Sequence, residues 1–179
     1  MLKVITIIVV ILVIAVVVVL VIAATKPETF RVQRTIGIKA PPDKVFALIN
    51  DLRGWSAWSA YEKKDPNMKR TFGPIAAGKG ATYEWDGDKN VGQGRMEIIE
   101  AIPPSKIVID LQFLRPFEAR HTAEFSIQPA PGDGTTVTWA MYGKNLFIGK
   151  VMGIFINMDK MIGNDFETGL ANLKALAEK

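Results

Sequence analysis

Two residue types with a wide chemical repertoire are scarce in this sequence, which contains no cysteine and a single histidine, His121. Without cysteine the chain has no disulfide framework, no thiolate nucleophile and no cysteine-based zinc site. A single histidine also excludes any site that needs two imidazole ligands. We therefore predict neither a metal site nor a cofactor.

The chain also lacks a clustered excess of charge. Its 22 Lys and Arg residues against 18 Asp and Glu residues give a net charge of +4. The basic residues are scattered, whereas a nucleic-acid-binding domain has a clustered basic face. The stretch GPIAAGKGA does not follow the GxxxxGK[ST] order of a phosphate-binding loop. We expect neither a nucleic-acid partner nor a phosphate loop.

A long uncharged run opens the chain. Residues 4–24 form 21 consecutive positions with neither a charge nor a proline. A helix of that length spans about 30 Å, the thickness of the hydrocarbon core of a bilayer. We predict a single-pass transmembrane anchor at residues 1–25 and a linker at residues 26–29. A cleaved secretory signal is the alternative, although its apolar region is usually shorter, about 7–15 residues.

The side of the membrane follows from the charges that flank this run. Lys3 lies before it, and more basic residues, including Lys26, Arg31 and Arg34, follow it closely. The positive-inside rule then favours a domain on the cytoplasmic side.

Residues 30–179 have the pattern of one α+β domain. FRVQRTIGI alternates as a strand with a slip that assigns Arg34 to the solvent face, and two short helices follow in APPDKVFALINDLRGWSAWSAY. Period-two alternation then marks the strands in ATYEWDGD, VGQGRMEIIEA, IVIDLQFL, FEARHTAEFSIQ and TTVTWAMYG. From Lys150 to Lys179, apolar residues recur at steps of three and four, which predicts one long helix that covers the apolar face of an antiparallel sheet.

Four segments in this order resemble the polyketide cyclase/dehydrase branch of the START-like superfamily, often labelled SRPBCC. They are APPDKVFALINDLRGWSAWSAY, YEWDGDKNVGQGRMEIIEAIPPSKIVIDLQF, GTTVTWAMYG and MDKMIGNDFETGLANLK. The resemblance implies a helix-grip fold, in which a curved antiparallel sheet wraps a long C-terminal helix. It also implies a deep pocket between sheet and helix that accepts hydrophobic molecules. It does not imply a reaction, because function resides in the site rather than in the fold.

The predicted pocket is lined by the inward positions of the strands and of the last helix. The candidate cavity residues are Trp58, Tyr83, Trp85, Met96, Ile109, Leu111, Phe113, Phe125, Trp139, Met141, Phe155, Ile162 and Phe166. Methionine adapts to irregular shapes, which suits a flexible apolar ligand. Each of these residues is also compatible with an ordinary core.

His121 and Asp159 are the candidate catalytic pair. His121 is the one group with an ordinary pKa near 6.5, and strand parity points it to the covered face. Asp159 is the only charge on the apolar stripe of the last helix, and a buried carboxylate needs a partner. In one interpretation that partner is His121, which Asp159 orients for proton transfer. In the other, His121 is a buried histidine satisfied by one neighbour, or it only shapes the mouth of the pocket. In the alternative, Asp159 lies at the edge of the stripe and bonds solvent, Lys63 or Lys64.

Three functions are compatible with these patterns. The first is membrane-anchored binding of a lipid-like or polyketide-like molecule, without catalysis. The second is an enzyme of cyclase or dehydratase type that uses His121. The third is a structural or regulatory module whose core is filled by its own side chains. A cavity volume separates the first two from the third, because drug-sized sites occupy about 300 to 1,000 Å³.

Overall fold

The computed structural model describes residues 2–179, so residue 1 of the predicted 1–25 anchor lies outside the described part of the chain. Helix α1, Leu2–Thr25, contains the uncharged run. It is long and apolar enough to cross a membrane, and a secretory signal near an N-terminus has the same properties. Pro27 follows the helix, where the missing backbone donor of proline prevents its continuation.

One antiparallel sheet of seven strands forms the centre of the structure, in the order β1-β7-β6-β5-β4-β3-β2. The strands are β1 Thr29–Ile38, β2 Lys69–Phe72, β3 Thr82–Asp86, β4 Gln93–Ile102, β5 Lys106–Arg115, β6 Ala119–Ala130 and β7 Gly134–Lys144. The first strand pairs with the last, so the N-terminal segment of the domain closes against its C-terminal strand.

Helices α2 Pro42–Asn50, α3 Ala60–Lys64 and α5 Met158–Ala177, with a 3-10 helix Leu52–Ala57, cover one face of this sheet. Helix α4, Phe147–Phe155, contacts α1 instead. Helix α5 buries Ile162, Phe166, Leu170 and Leu173, which lie at the steps of three and four that the sequence predicts. The α+β helix-grip prediction is confirmed.

The long C-terminal helix is confirmed, but its predicted start at Lys150 is wrong, because the structure divides residues 150–179 between α4 and α5. Ile156 and Asn157 have extended backbone conformations between them. The Asn157 side chain accepts a hydrogen bond from the Lys160 amide at 2.9 Å and so caps α5. The apolar spacing continues across the break, which conceals it, whereas Asn157 with Asp159 in the next turn is a helix-start signal.

The slip predicted in the first strand is also wrong. β1 pairs continuously with β7, from Thr29 with Lys144 to Ile38 with Thr135. Arg34 therefore lies on the covered face of the sheet, in line with Val32 and Ile36. Its guanidinium group reaches the edge of α5.

Candidate functional site

The interior between sheet and α5 is filled by apolar side chains. Ten of the thirteen predicted cavity residues are buried: Trp58, Tyr83, Trp85, Met96, Ile109, Phe125, Trp139, Met141, Ile162 and Phe166. Leu111 and Phe113 are half-buried. Phe155 lies instead on the surface of α4, with 71% of its area exposed. Of the thirteen residues, Phe113 lines the open depression beside His121 that is described below.

Trp139 is the centre of the filled part. Its ring stacks on Phe166 of α5 at 4.0 Å and on Phe125 of β6 at 4.9 Å between ring centroids. Gly169 of α5 also packs against this indole: a Cβ added at Gly169 would lie 3.0 Å from the ring. The indole Nε1 is buried and has no hydrogen-bond partner among the described residues. The sheet and α5 thus approach closely at Trp139, whose indole N–H lacks a hydrogen-bond acceptor in the described chain.

His121 lies at the more open end of the same face. On β6 it is opposite Leu111 of β5 and Gly143 of β7. A Cβ at Gly143 would be 2.7 Å from the imidazole Nδ1, so the glycine makes room for the ring. Phe30 contacts the imidazole edge to face at 4.8 Å, and Phe113 is 6.0 Å away. Strand parity therefore predicted its direction correctly.

Burial lowers the pKa of His121 below its ordinary value of 6.5, and the backbone carbonyl of Arg120 offsets part of this effect. The imidazole is therefore neutral near pH 7, with one nitrogen as a donor and the other as an acceptor. Its Nδ1 atom is buried and has no hydrogen bond of good geometry within residues 2–179. Because Nδ1 is enclosed beside Gly143, a molecule in the space outside can approach His121 only at the other ring nitrogen, Nε2, which is not enclosed.

Asp159 bonds Arg34. Its carboxylate accepts hydrogen bonds from Nη1 and Nη2 of Arg34 at 3.2 and 3.1 Å, and 63% of its side chain is exposed. Arg34 also donates to Glu167 of α5 at 2.6 Å. Asp159 thus lies at the edge of the apolar stripe, as the alternative interpretation predicts, but its partner is Arg34 rather than Lys63 or Lys64. The structure does not place its carboxylate as the orienting group of His121.

An open depression of ≈ 460 Å³ adjoins His121. We call it the His121 depression, and its lining residues are Gln112, Phe113, Leu114, Glu118, Ala119, Arg120, His121, Lys144 and Leu146. The hairpin between β5 and β6 forms one side, and the segment from β7 to α4 forms the other. Its volume falls within the range of about 300 to 1,000 Å³ that small-molecule sites occupy.

The polar groups that line this depression include an arginine that is already paired and an exposed lysine. Arg120 binds both carboxylate oxygens of Asp110, at 2.7 and 3.0 Å. This pairing lowers the pKa of Asp110. Lys144 is exposed at the rim. Within residues 2–179, no group of three His, Cys, Asp or Glu side chains is arranged to hold a metal ion.

Sequence reasoning missed a second buried polar group, at Glu62. The side chain of Glu62, on α3, is buried. It accepts a hydrogen bond from the Tyr83 hydroxyl and forms an ion pair with Arg70 at 2.7 Å. Arg70 also donates to the Met68 carbonyl at 2.6 Å. This network joins α3 to β2 and β3, and only the pairing of distant segments reveals it.

The fold is similar to several solved structures. Protein CV1439 from Chromobacterium violaceum has 15% identity and a TM-score of 0.58, over 86% of this chain and 99% of that one. Aha1 from Colwellia psychrerythraea has 16% identity and a TM-score of 0.57, over 83% and 96%. The di-domain ARO/CYC BexL from the BE-7585A biosynthetic pathway has 15% identity and a TM-score of 0.60, over 88% and 53%. At these identities the likeness concerns the fold alone.

No curated protein sequence matches the chain. A family described as polyketide cyclase / dehydrase and lipid transport matches residues 29–178. This match extends from the first strand to the end of α5 and so includes the sheet, the covering helix and the His121 depression. The chain therefore belongs to the polyketide cyclase / dehydrase and lipid transport family, within the SRPBCC group.

Proposed function

We propose that the chain is a membrane-anchored protein that binds an apolar small molecule, lipid-like or polyketide-like, in the His121 depression. The observation that carries the proposal is the position of this depression. It continues the apolar interior outward from Phe113 and His121, and its volume is ≈ 460 Å³. Family membership supports an apolar ligand, because the family description includes lipid transport.

The ligand lies with its apolar part against Phe113, Leu114 and Leu146. Its polar end reaches the imidazole of His121 at Nε2, because Nδ1 is enclosed in the interior. A hydrogen bond to this imidazole contributes about 0.5 to 1.5 kcal/mol to the free energy of binding. The bound molecule should therefore carry at least one hydrogen-bonding group.

Helix α1 anchors the domain and brings this site to molecules that partition into a bilayer. Its length and composition support a membrane span. The basic residues that follow it support a domain on the cytoplasmic side. A tethered site of this kind samples a high local concentration of apolar molecules.

Two other functions have less support. A cyclase or dehydratase would need a group that orients His121. The candidate for this role, Asp159, is exposed and bonded to Arg34 instead. A module with a filled core is supported by the stack of Phe125, Trp139 and Phe166. That stack lies deeper than the His121 depression, so the two features are compatible.

The ligand proposal is tested by mass spectrometry of apolar molecules that co-purify with the intact protein. Ala119 lines the depression, and Ala119→Trp should fill it and reduce the recovered molecule several-fold. Ala171 is exposed on α5, and Ala171→Trp is the matched control that should leave recovery unchanged. If the wild-type protein yields no apolar molecule above a mock purification, the binding proposal is wrong.

The anchor is tested separately by membrane extraction and intact mass. An anchored chain stays in the membrane at alkaline pH and keeps residues 1–25, whereas a cleaved signal leaves a shorter, extractable protein. Because the chain contains no cysteine, Ala175→Cys introduces a unique thiol. An impermeant maleimide should fail to label it in intact cells if the domain is cytoplasmic.

A further inference from the structure

Helix α4 is an apolar helix whose outer surface the protein leaves uncovered. Phe147, Ile148 and Phe155 are exposed. The only charged residue of the helix, Lys150, is buried instead and bonds Glu28 at 2.6 Å. Ile148, Met152 and Phe155 lie at steps of four and three, so they share one face. An exposed apolar surface of this kind usually marks an interaction site.

Contacts with the end of α1 and with the residues that follow it fix the position of α4. The Asn145 amide donates to the Glu28 carbonyl at 2.8 Å, and its side-chain amide donates to the Pro27 carbonyl at 3.3 Å. The Lys150 ammonium group adds its bond to the Glu28 carboxylate. α4 also contacts α1 directly, and Ala23 in the last turns of α1 is fully buried. The segment that leaves α1 and the segment that enters α4 are therefore held together.

This arrangement sets the depth of α4 if α1 spans a bilayer. The last residues of α1 then lie where the hydrocarbon core meets the headgroups, a layer about 5 to 8 Å thick on each side. Phe147 follows Asn145 by two residues, so their Cα atoms are separated by at most about 7.6 Å. α4 is about 13 Å long. The helix thus begins at the level of the interface.

A second exposed apolar element lies on the other side of the His121 depression. Leu114, near the end of β5, and Phe117, in the turn between β5 and β6, are both exposed. Leu114 and Leu146 line the same depression from opposite sides. The β5–β6 turn and α4 therefore flank its opening with apolar side chains.

We infer that α4 and the β5–β6 turn form a bilayer-docking surface that places the opening of the His121 depression against the lipid headgroup layer. This inference rests on the proposed anchoring by α1. Amphipathic helices lie at this depth with their apolar side chains in the boundary between headgroups and acyl chains. The contact of α4 with α1 selects the bilayer, rather than a second copy of the chain, as the partner. An apolar ligand then passes between lipid and depression without crossing water.

The test measures the environment of nitroxide labels on the full chain in phosphatidylcholine vesicles. Phe155→Cys and Phe117→Cys each provide the only thiol in the protein, since the natural sequence has none. Ala175→Cys is the control, because Ala175 is exposed and lies about 25 Å along α5 from its start. Paramagnetic relaxation by oxygen reports lipid, and relaxation by a water-soluble nickel chelate reports water.

We expect the oxygen-to-nickel accessibility ratio at positions 117 and 155 to exceed that at position 175 several-fold. A ratio at 155 equal to that at 175, with the chain still inserted in the vesicles, would overturn the docking surface and leave the anchor intact. Low accessibility to both reagents at 155, with short label distances between copies, would overturn it in favour of self-association. A chain that stays in the aqueous phase would refute the anchor and the docking surface together.

Discussion

The guanidinium group of Arg34 lies against Gly163 of α5. A Cβ at Gly163 would overlap the guanidinium atoms, so the absence of a side chain makes room for them. From this position Arg34 bonds both Asp159 and Glu167. Its two carboxylate partners raise the pKa of Arg34 further above its ordinary value. A glycine that weakens the helix locally thus permits the tie between β1 and α5.

Gly163→Ala should therefore lack the stability gain that alanine usually gives in a helix. Replacement of a helical glycine by alanine stabilises by about 1 kcal/mol where there is space. Gly153 of α4 has such space, with no atom within 4 Å of an added Cβ. We expect Gly153→Ala to raise the free energy of unfolding by about this amount and Gly163→Ala to leave it unchanged or lower it.

A double-mutant cycle separates the steric reason from any other. In an Arg34→Ala background, Gly163→Ala should regain a gain of about 1 kcal/mol. Equal effects of Gly163→Ala in both backgrounds would contradict the account. Tryptophan fluorescence is a suitable probe of unfolding, because Trp55, Trp58, Trp85 and Trp139 are all buried in the folded domain.

Tyr83→Phe should destabilise the domain through Glu62. The hydroxyl donates to this buried carboxylate, and a hydrogen bond to a charged group contributes about 1.5 to 3 kcal/mol. Tyr142 is the matched control, since its hydroxyl donates at 3.0 Å to Glu124 in a more exposed setting. Chemical denaturation should show a smaller loss for Tyr142→Phe. The assignment fails if the two variants lose the same stability.

The stability of the domain should decrease as the pH falls below about 6.5, partly because of His121. Burial lowers its pKa in the folded state, so the unfolded chain binds more protons between the folded-state pKa and 6.5. This contribution to stability is complete above 6.5 and is lost as the pH falls through the folded-state pKa. Melting curves at pH 7.5 and 5.5 should show a smaller decrease for His121→Asn than for the wild type. An identical decrease would mean that His121 is not the group responsible.

Asn157→Ala should loosen the start of α5. Loss of an N-cap side chain typically costs about 1 kcal/mol, and Asn157 bonds the Lys160 amide in this role. Asn157→Asp retains an oxygen acceptor and should restore stability. Thermal unfolding of the two variants measures the difference, and a stable Asn157→Ala would argue that other contacts fix the break between α4 and α5.

The fold was predictable from local periodicity, because alternation along β6 and the steps of three and four along α5 each report one covered face. Arg34 was not, since a two-residue pattern cannot distinguish a slipped strand from a continuous strand with a charge on its covered face. The burial of Glu62 was not predictable for a related reason: Glu62 lies on α3, and its partners Arg70 and Tyr83 lie on β2 and β3. The sequence indicated the face to which His121 points. It did not indicate that Asp159 pairs with Arg34, because that contact depends on the packing of β1 against α5.

The central claim is that an apolar molecule occupies the depression beside His121, and the single histidine of the chain makes this directly measurable. Selective isotope labelling of histidine gives one set of imidazole NMR signals. We predict that the His121 signals of the purified full chain shift when co-purifying apolar molecules are removed and return when the extract is added back. In Ala119→Trp the same treatment should produce no shift. Wild-type signals that stay unchanged through removal and return of the extract would contradict the claim.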